Sequence, residues 1–83
     1  MADLSTQQRA RLADQGKAMP GGRFPIRNRD DLLDAIRAVG RVRPDTEEAR
    51  AQVRRFIIRR ARDLGLGHLI PATWNDDGTL KNT

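Results

Sequence analysis

Apolar positions recur every three or four residues in two long stretches, and no segment reads as a strand pair, so the chain reads as helical. The longer stretch runs from Pro44 to Gly65. At about 100° per residue, Ala49, Val53, Phe56, Ile57, Ala61 and Leu64 fall on one broad face, and Arg55, Arg59 and Arg62 fall together on another. Pro44 breaks the chain before it. Asp45 is placed to cap the helix, with Glu48 completing a capping box. Glu47 and Glu48 suit the positive end of the helix dipole, and Arg59, Arg60 and Arg62 suit the other. Gly65 follows Leu64 as the stop. Two residues misfit this amphipathic plan. Ile58 lies nearly opposite the apolar face, between Arg54 and Arg62. Arg60 lies inside the apolar face, where it either snorkels out along its methylenes or pairs with an acid such as Asp34.

The second stretch, Asn28 to Gly40, has Asn28 as cap, Asp30 and Asp31 in its first turn, and a stripe of Leu32, Leu33, Ile36 and Val39 beside Ala35. Gly40 is its expected stop. Arg41 to Asp45 is a short link, so the two helices should form an αα-hairpin or corner with Val42 under the turn. Ahead of them, Ser5 and Gln8 make a capping-box pattern for a helix over Thr6 to Gln15, with Gly16 to end it. Its apolar face is narrow, Leu4 and Leu12 with small alanines, and a helix of about ten residues is marginal alone. It needs something to dock on.

Between the first two helices, Lys17 to Ile26 holds two prolines and two glycines and is a loop. Pro20-Gly21-Gly22 should turn the chain, Phe24 before Pro25 is pushed towards extended geometry, and Met19, Phe24 and Ile26 should anchor the loop over the helices. After the long helix, Leu66, Leu69 and Ile70 are placed to cap the open end of the helical pair, and Trp74 to pack on the core. Asn75 to Gly78 is a turn by composition. The pattern leaves room for a short β-bridge near Phe24 or Leu80. The expected architecture is an all-α domain spanning 1–83: a short N-terminal helix, a Pro/Gly loop, a two-helix hairpin with a long second helix, and an apolar C-terminal turn. Residues 1–4 and 76–83 read as extended tails.

Composition narrows the function classes. There is no cysteine and one histidine, which leaves little material for a metal site or a nucleophile–base pair. His68 stands in a Gly-flanked turn without an acidic residue at a telling spacing, and reads as a surface or capping residue. The turn Asn75-Asp-Asp-Gly78 lacks the alternating acids and distal Glu of a calcium loop. The glycines of the Pro/Gly loop open no helix after a strand, so a phosphate-loop reading is weak. The chain reads as no enzyme, with no cofactor. No stretch reaches the roughly 18 apolar residues of a membrane span, and no signal peptide opens the chain. The net charge is +5, with fourteen Arg against two Lys. Codon bias of a GC-rich genome gives that excess without any function. Arg also suits bidentate interfacial contacts, so the excess fits a protein surface as well as a phosphate surface.

Four segments form a series: Ala18-Met-Pro-Gly-Gly-Arg-Phe-Pro-Ile26, Asp31-Leu-Leu-Asp-Ala-Ile-Arg-Ala-Val-Gly-Arg41, Phe56-Ile-Ile-Arg-Arg-Ala-Arg-Asp-Leu-Gly65 and Leu69-Ile-Pro-Ala-Thr-Trp74. Together they resemble a small helical domain of unknown function recurrent in phages of actinobacteria. That domain stands alone or is appended to capsid maturation proteases and other head-assembly proteins. The resemblance spans roughly residues 4–75. It implies a helical fold and a phage-head setting, and carries no catalytic residue; no protease domain is present here.

Residues and resemblance together lead to a capsid-associated protein, a minor capsid or decoration component of the virion head, made in the host cytoplasm. Its partner would be the major capsid protein or another head protein, or a second copy. The expected interface is Ile58, Arg54, Arg62, Trp74 and Leu80. The alternative is a small phage nucleic-acid-binding or regulatory protein that uses Arg55, Arg59 and Arg62. Against that stand the length of the helix, the C-terminal place of its basic ridge, and the lack of base-reading Asn, Gln or Ser on it. A host-directed protein is a third reading.

Overall fold

The computed structural model describes residues 5–19 and 22–81. Among these residues there are three α-helices: α1 (Thr6–Asp14), α2 (Arg29–Ala38) and α3 (Glu47–Asp63). Among the described residues there is no β-strand, only isolated bridges at Met19–Arg23 and Trp74–Leu80. The all-α reading holds, and the bridges fall close to where the sequence left room for them.

The helix starts are set locally. The Ser5 hydroxyl accepts from the Gln8 N–H, and the Gln8 side chain accepts from the Ser5 N–H, so the capping box of α1 is closed. Asn28 caps α2 through the Asp31 N–H at 3.0 Å. Asp31 itself turns back to Arg27, accepting from its backbone N–H at 3.0 Å and its Nε at 2.7 Å. For α3 the expectation is corrected by one residue: Thr46, not Asp45, is the cap, its hydroxyl accepting from the Ala49 N–H at 3.1 Å. Asp45 is left free to pair with Arg50.

The helix ends are equally explicit. At Gly65 (φ 71°) the Leu66 N–H reaches back to the Ala61 carbonyl and the Gly65 N–H to that of Arg62, the paired bonds of a Schellman stop. Gly16 ends α1 the same way, with Lys17 bonded to Leu12. Gly40 does not stop α2 as expected. The chain tightens instead into a 3₁₀ turn, Val39–Arg41, whose last bond runs from the Val42 N–H to the Val39 carbonyl.

The core lies between α2 and α3. Leu32 and Ala35 from α2 and Val39 from the 3₁₀ turn meet Val53, Ile57 and Ala61 from α3, and Ile26 and Val42 complete the cluster. Burying each large aliphatic contributes about 1.5–3 kcal/mol. Ile26 is fully buried, and its N–H donates to the Lys17 carbonyl at 2.7 Å, which folds the loop over the helix pair. Phe24 packs on this core as expected, but its φ of 50° puts it in the left-handed region rather than the extended one. α1 has no buried side chain. The expected turn at Pro20-Gly21 and the tail 1–4, with Leu4, lie outside the described residues.

The C-terminal segment departs most from expectation. Residues 76–81 do not trail away. The Lys81 N–H bonds the Thr73 carbonyl and the Asn75 N–H bonds the Thr79 carbonyl, closing a tight hairpin. Its turn is pressed onto α3 at Gly78 (φ 88°), where an added Cβ would stand 2.1 Å from the Ala51 carbonyl oxygen. Only glycine fits there, on grounds of both space and backbone conformation.

Candidate interaction surface

The arginines of α3 decide what this surface is. Arg54 is almost fully buried (4% exposed). Its Nη1 donates to Glu47 Oε1 at 2.6 Å and to the Gly78 carbonyl at 3.0 Å, and its guanidinium lies 6.0 Å from the centre of the Trp74 ring. Arg60 is also buried, donating from Nε and Nη2 to the Ile26 carbonyl at 3.1 and 2.8 Å and from Nη1 to Asp63 at 3.2 Å. It pairs with Asp63 and a main-chain oxygen, not with Asp34. Arg59 donates to the Gly16 carbonyl at 3.1 Å and stands over the Phe56 ring at 5.1 Å. Arg55 donates to the Asp77 carbonyl at 3.2 Å, and Arg62 to Asp76 at 2.9 Å. Each of these arginines holds a different point of the flanking segments against α3. No buried polar side-chain atom among the described residues lacks a partner.

Two expected interface residues are therefore corrected. Ile58 does not look outward; it is 5% exposed, covered by the C-terminal segment. Arg54 is likewise occupied inside the fold. Both fell opposite the main core face on α3, and that second face is buried by residues 70–80, which return to it from far along the chain. The nucleic-acid ridge is redirected too. Arg55, Arg59 and Arg62 share a side of α3, but Arg55 and Arg62 hold the turn at Asp76 and Asp77 while Arg59 reaches Gly16 at the end of α1.

Arg62, Trp74 and Leu80 remain at the surface. Leu80 is 46% exposed and is the large hydrophobic residue most open to solvent among those described. Trp74 is half-buried opposite it in the hairpin. Beside them opens a groove of about 210 Å³, with Ile58, Ile70, Pro71 and Trp74 as apolar lining and Arg62 and Lys81 at its edge. Ile70, Pro71 and Lys81 were missed from sequence. Their signal was weak: an apolar pair beside a proline, and one lysine in a short stretch read as a tail.

Charge around the site is set by hydrogen bonds. Glu47 is held below the ordinary carboxylate range by the Arg54 hydrogen bond first, with Arg50 adding to it. Asp77 is lowered by the Thr79 hydroxyl and N–H, which it accepts at 2.6 and 3.0 Å. For Asp31, burial acts to raise the pKa, but the Arg27 hydrogen bonds and charge outweigh it and hold the carboxyl low. Among the described residues, no three His, Cys, Asp or Glu side chains gather closely enough to hold a metal ion. Among the described residues no helix is long and apolar enough to cross a membrane. Comparison with known protein families, with curated proteins and with solved structures returned no match.

Proposed function

We propose that the chain is a phage head protein, a minor capsid or decoration component that docks on the capsid shell. The resemblance of its four-segment series to a domain found beside head-assembly proteins supports the setting. The observation that carries the docking reading is Leu80, exposed at 46% on a hairpin that is otherwise pinned to α3. Burying the exposed part of Leu80 against a subunit would contribute about 1 kcal/mol. The groove lined by Ile58, Ile70 and Trp74 offers a recess for an apolar side chain of that subunit. Arg62 and Lys81 at its edge would set register and encounter rate more than affinity. The test is co-sedimentation of the purified protein with heads of the phage that encodes it, alongside deletion of the gene. Binding that is lost in Leu80→Ser supports the reading. No binding to heads, together with unaltered heads after deletion, overturns it.

A further inference from the structure

The exposed cations that α3 does not use are unevenly placed. Residues 5–27 carry Arg9, Arg11, Lys17, Arg23 and Arg27 against a single acid, Asp14. Arg27 is matched by Asp31. The other four have no acidic partner among the described residues. The fold gathers them into one lobe. Gly22 sits directly on α1, where an added Cβ would stand 2.3 Å from the Arg9 Cβ, so Arg23 follows immediately beside Arg9. The Met19–Arg23 bridge fixes that placement. On the other flank of α1, Arg11 lines a groove with Gln8, Leu12, Gln15 and Arg27. Lys17 continues from the end of α1, its N–H bonded to Leu12.

We propose that α1, with Lys17 and Arg23 beside it, forms a contact surface for the phosphate backbone of nucleic acid. The lobe is mostly charge and amide, with Leu12 and Met19 half-buried as its large apolar side chains. α1 buries no side chain, and it exposes Gln7, Gln8, Arg9, Arg11 and Gln15 along nine residues and its cap. Protein interfaces need an apolar centre with a polar rim, and this lobe exposes no large apolar side chain among its described residues. A ligand bound through charge and hydrogen bonding alone fits a phosphodiester chain, whose affinity comes from Lys and Arg contacts that release counterions. Gln amides are ordinary donors to phosphate oxygens. The surface is distinct from the C-terminal groove, so it stands whether or not that groove docks on a capsid.

The experiment is fluorescence anisotropy of a labelled 20-base-pair DNA duplex with the full chain, titrated from about 50 to 200 mM salt, the range over which phosphate contacts are lost steeply. Three forms are compared: wild type, Arg9→Gln/Arg11→Gln/Arg23→Gln, and Arg29→Gln/Arg41→Gln/Arg43→Gln. The second triple removes the same charge from exposed arginines elsewhere. The expected result is tight low-salt binding by wild type, at least about a tenfold loss in the first triple, and a salt slope shallower by about two to three. The control triple should change binding less than about threefold. Far-UV circular dichroism checks that helix content is kept. Arg11→Gln alone, whose parent side chain makes no hydrogen bond among the described residues, should still reduce the slope by about one. No binding at 50 mM salt, or equal weakening by the two triples, overturns the proposal. So does competition by polyglutamate as effective per charge as unlabelled duplex, which would assign the lobe to acidic protein instead.

Discussion

Arg60, on the core side of α3, places two of its nitrogens on one oxygen, the main-chain carbonyl of Ile26 34 residues earlier in the chain. Ile26 is itself fully buried, so water cannot stand in for the guanidinium.

Replacing Arg60 with Met keeps the apolar stem and leaves the Ile26 carbonyl without a partner. A charged hydrogen bond is lost and a buried acceptor is stranded, so the expected destabilisation is about 2–3 kcal/mol. Arg60→Lys should fall between, because an ammonium restores a point charge but not the two-pronged contact. Urea denaturation of the three forms decides it. Arg60→Met within about 0.5 kcal/mol of wild type, inside the scatter of ordinary surface changes, would show that this contact is incidental.

Ile58 and Leu80 should respond in opposite ways. Ile58→Ala removes buried volume beneath the C-terminal segment and is expected to lower stability by about 2–4 kcal/mol. Leu80→Ser removes a side chain that is 46% exposed and should lower stability by only about 1 kcal/mol while removing head binding. The measurement pairs a denaturation midpoint with a co-sedimentation assay. An Ile58→Ala chain as stable as wild type would place that residue at the surface after all.

Acid should loosen the starts of α2 and α3 and the C-terminal turn. Asp31, Glu47 and Asp77 are all held below the ordinary carboxylate range. Between their folded values and the ordinary value near 4, the unfolded chain binds more protons, so stability rises with pH there. It is complete above about pH 5 and is lost as pH falls through the folded values. The urea midpoint followed from pH 7 to pH 2 should therefore drop on the acid side, and drop less steeply in Glu47→Gln. An unchanged midpoint down to pH 3 would contradict the assignment.

The local part of this fold was legible in the sequence. Ser5 with Gln8, Asn28, Gly16 and Gly65 each act within a few residues of themselves, and each took its expected role. Thr46 in place of Asp45 is a choice between neighbouring capping residues that local rules rank almost equally. Ile58 and Arg60 were visible as misfits, but what covers or accepts from them lies far along the chain: residues 70–80 for Ile58 and its neighbour Arg54, and Ile26 for Arg60. A period-based reading sees one buried face per helix, and α3 has two. Phe24 was misjudged because the rule for residues before proline is local, whereas this loop is pulled onto the core by Ile26. Of the candidate site, Trp74 and Leu80 kept their place, and the groove beside them forms only once residues 70–81 fold back.

The arginine contacts with residues 16, 26, 77 and 78 all end on main-chain oxygens. Every amino acid carries such an oxygen, so the receiving side chains take no part in these bonds, apart from the space and backbone demand at Gly78. The donating positions have no such latitude, because no other side chain offers several fixed donors on one permanent charge. The paths of the N-terminal loop and of the C-terminal turn are thus written in the side chains of α3 more than in their own.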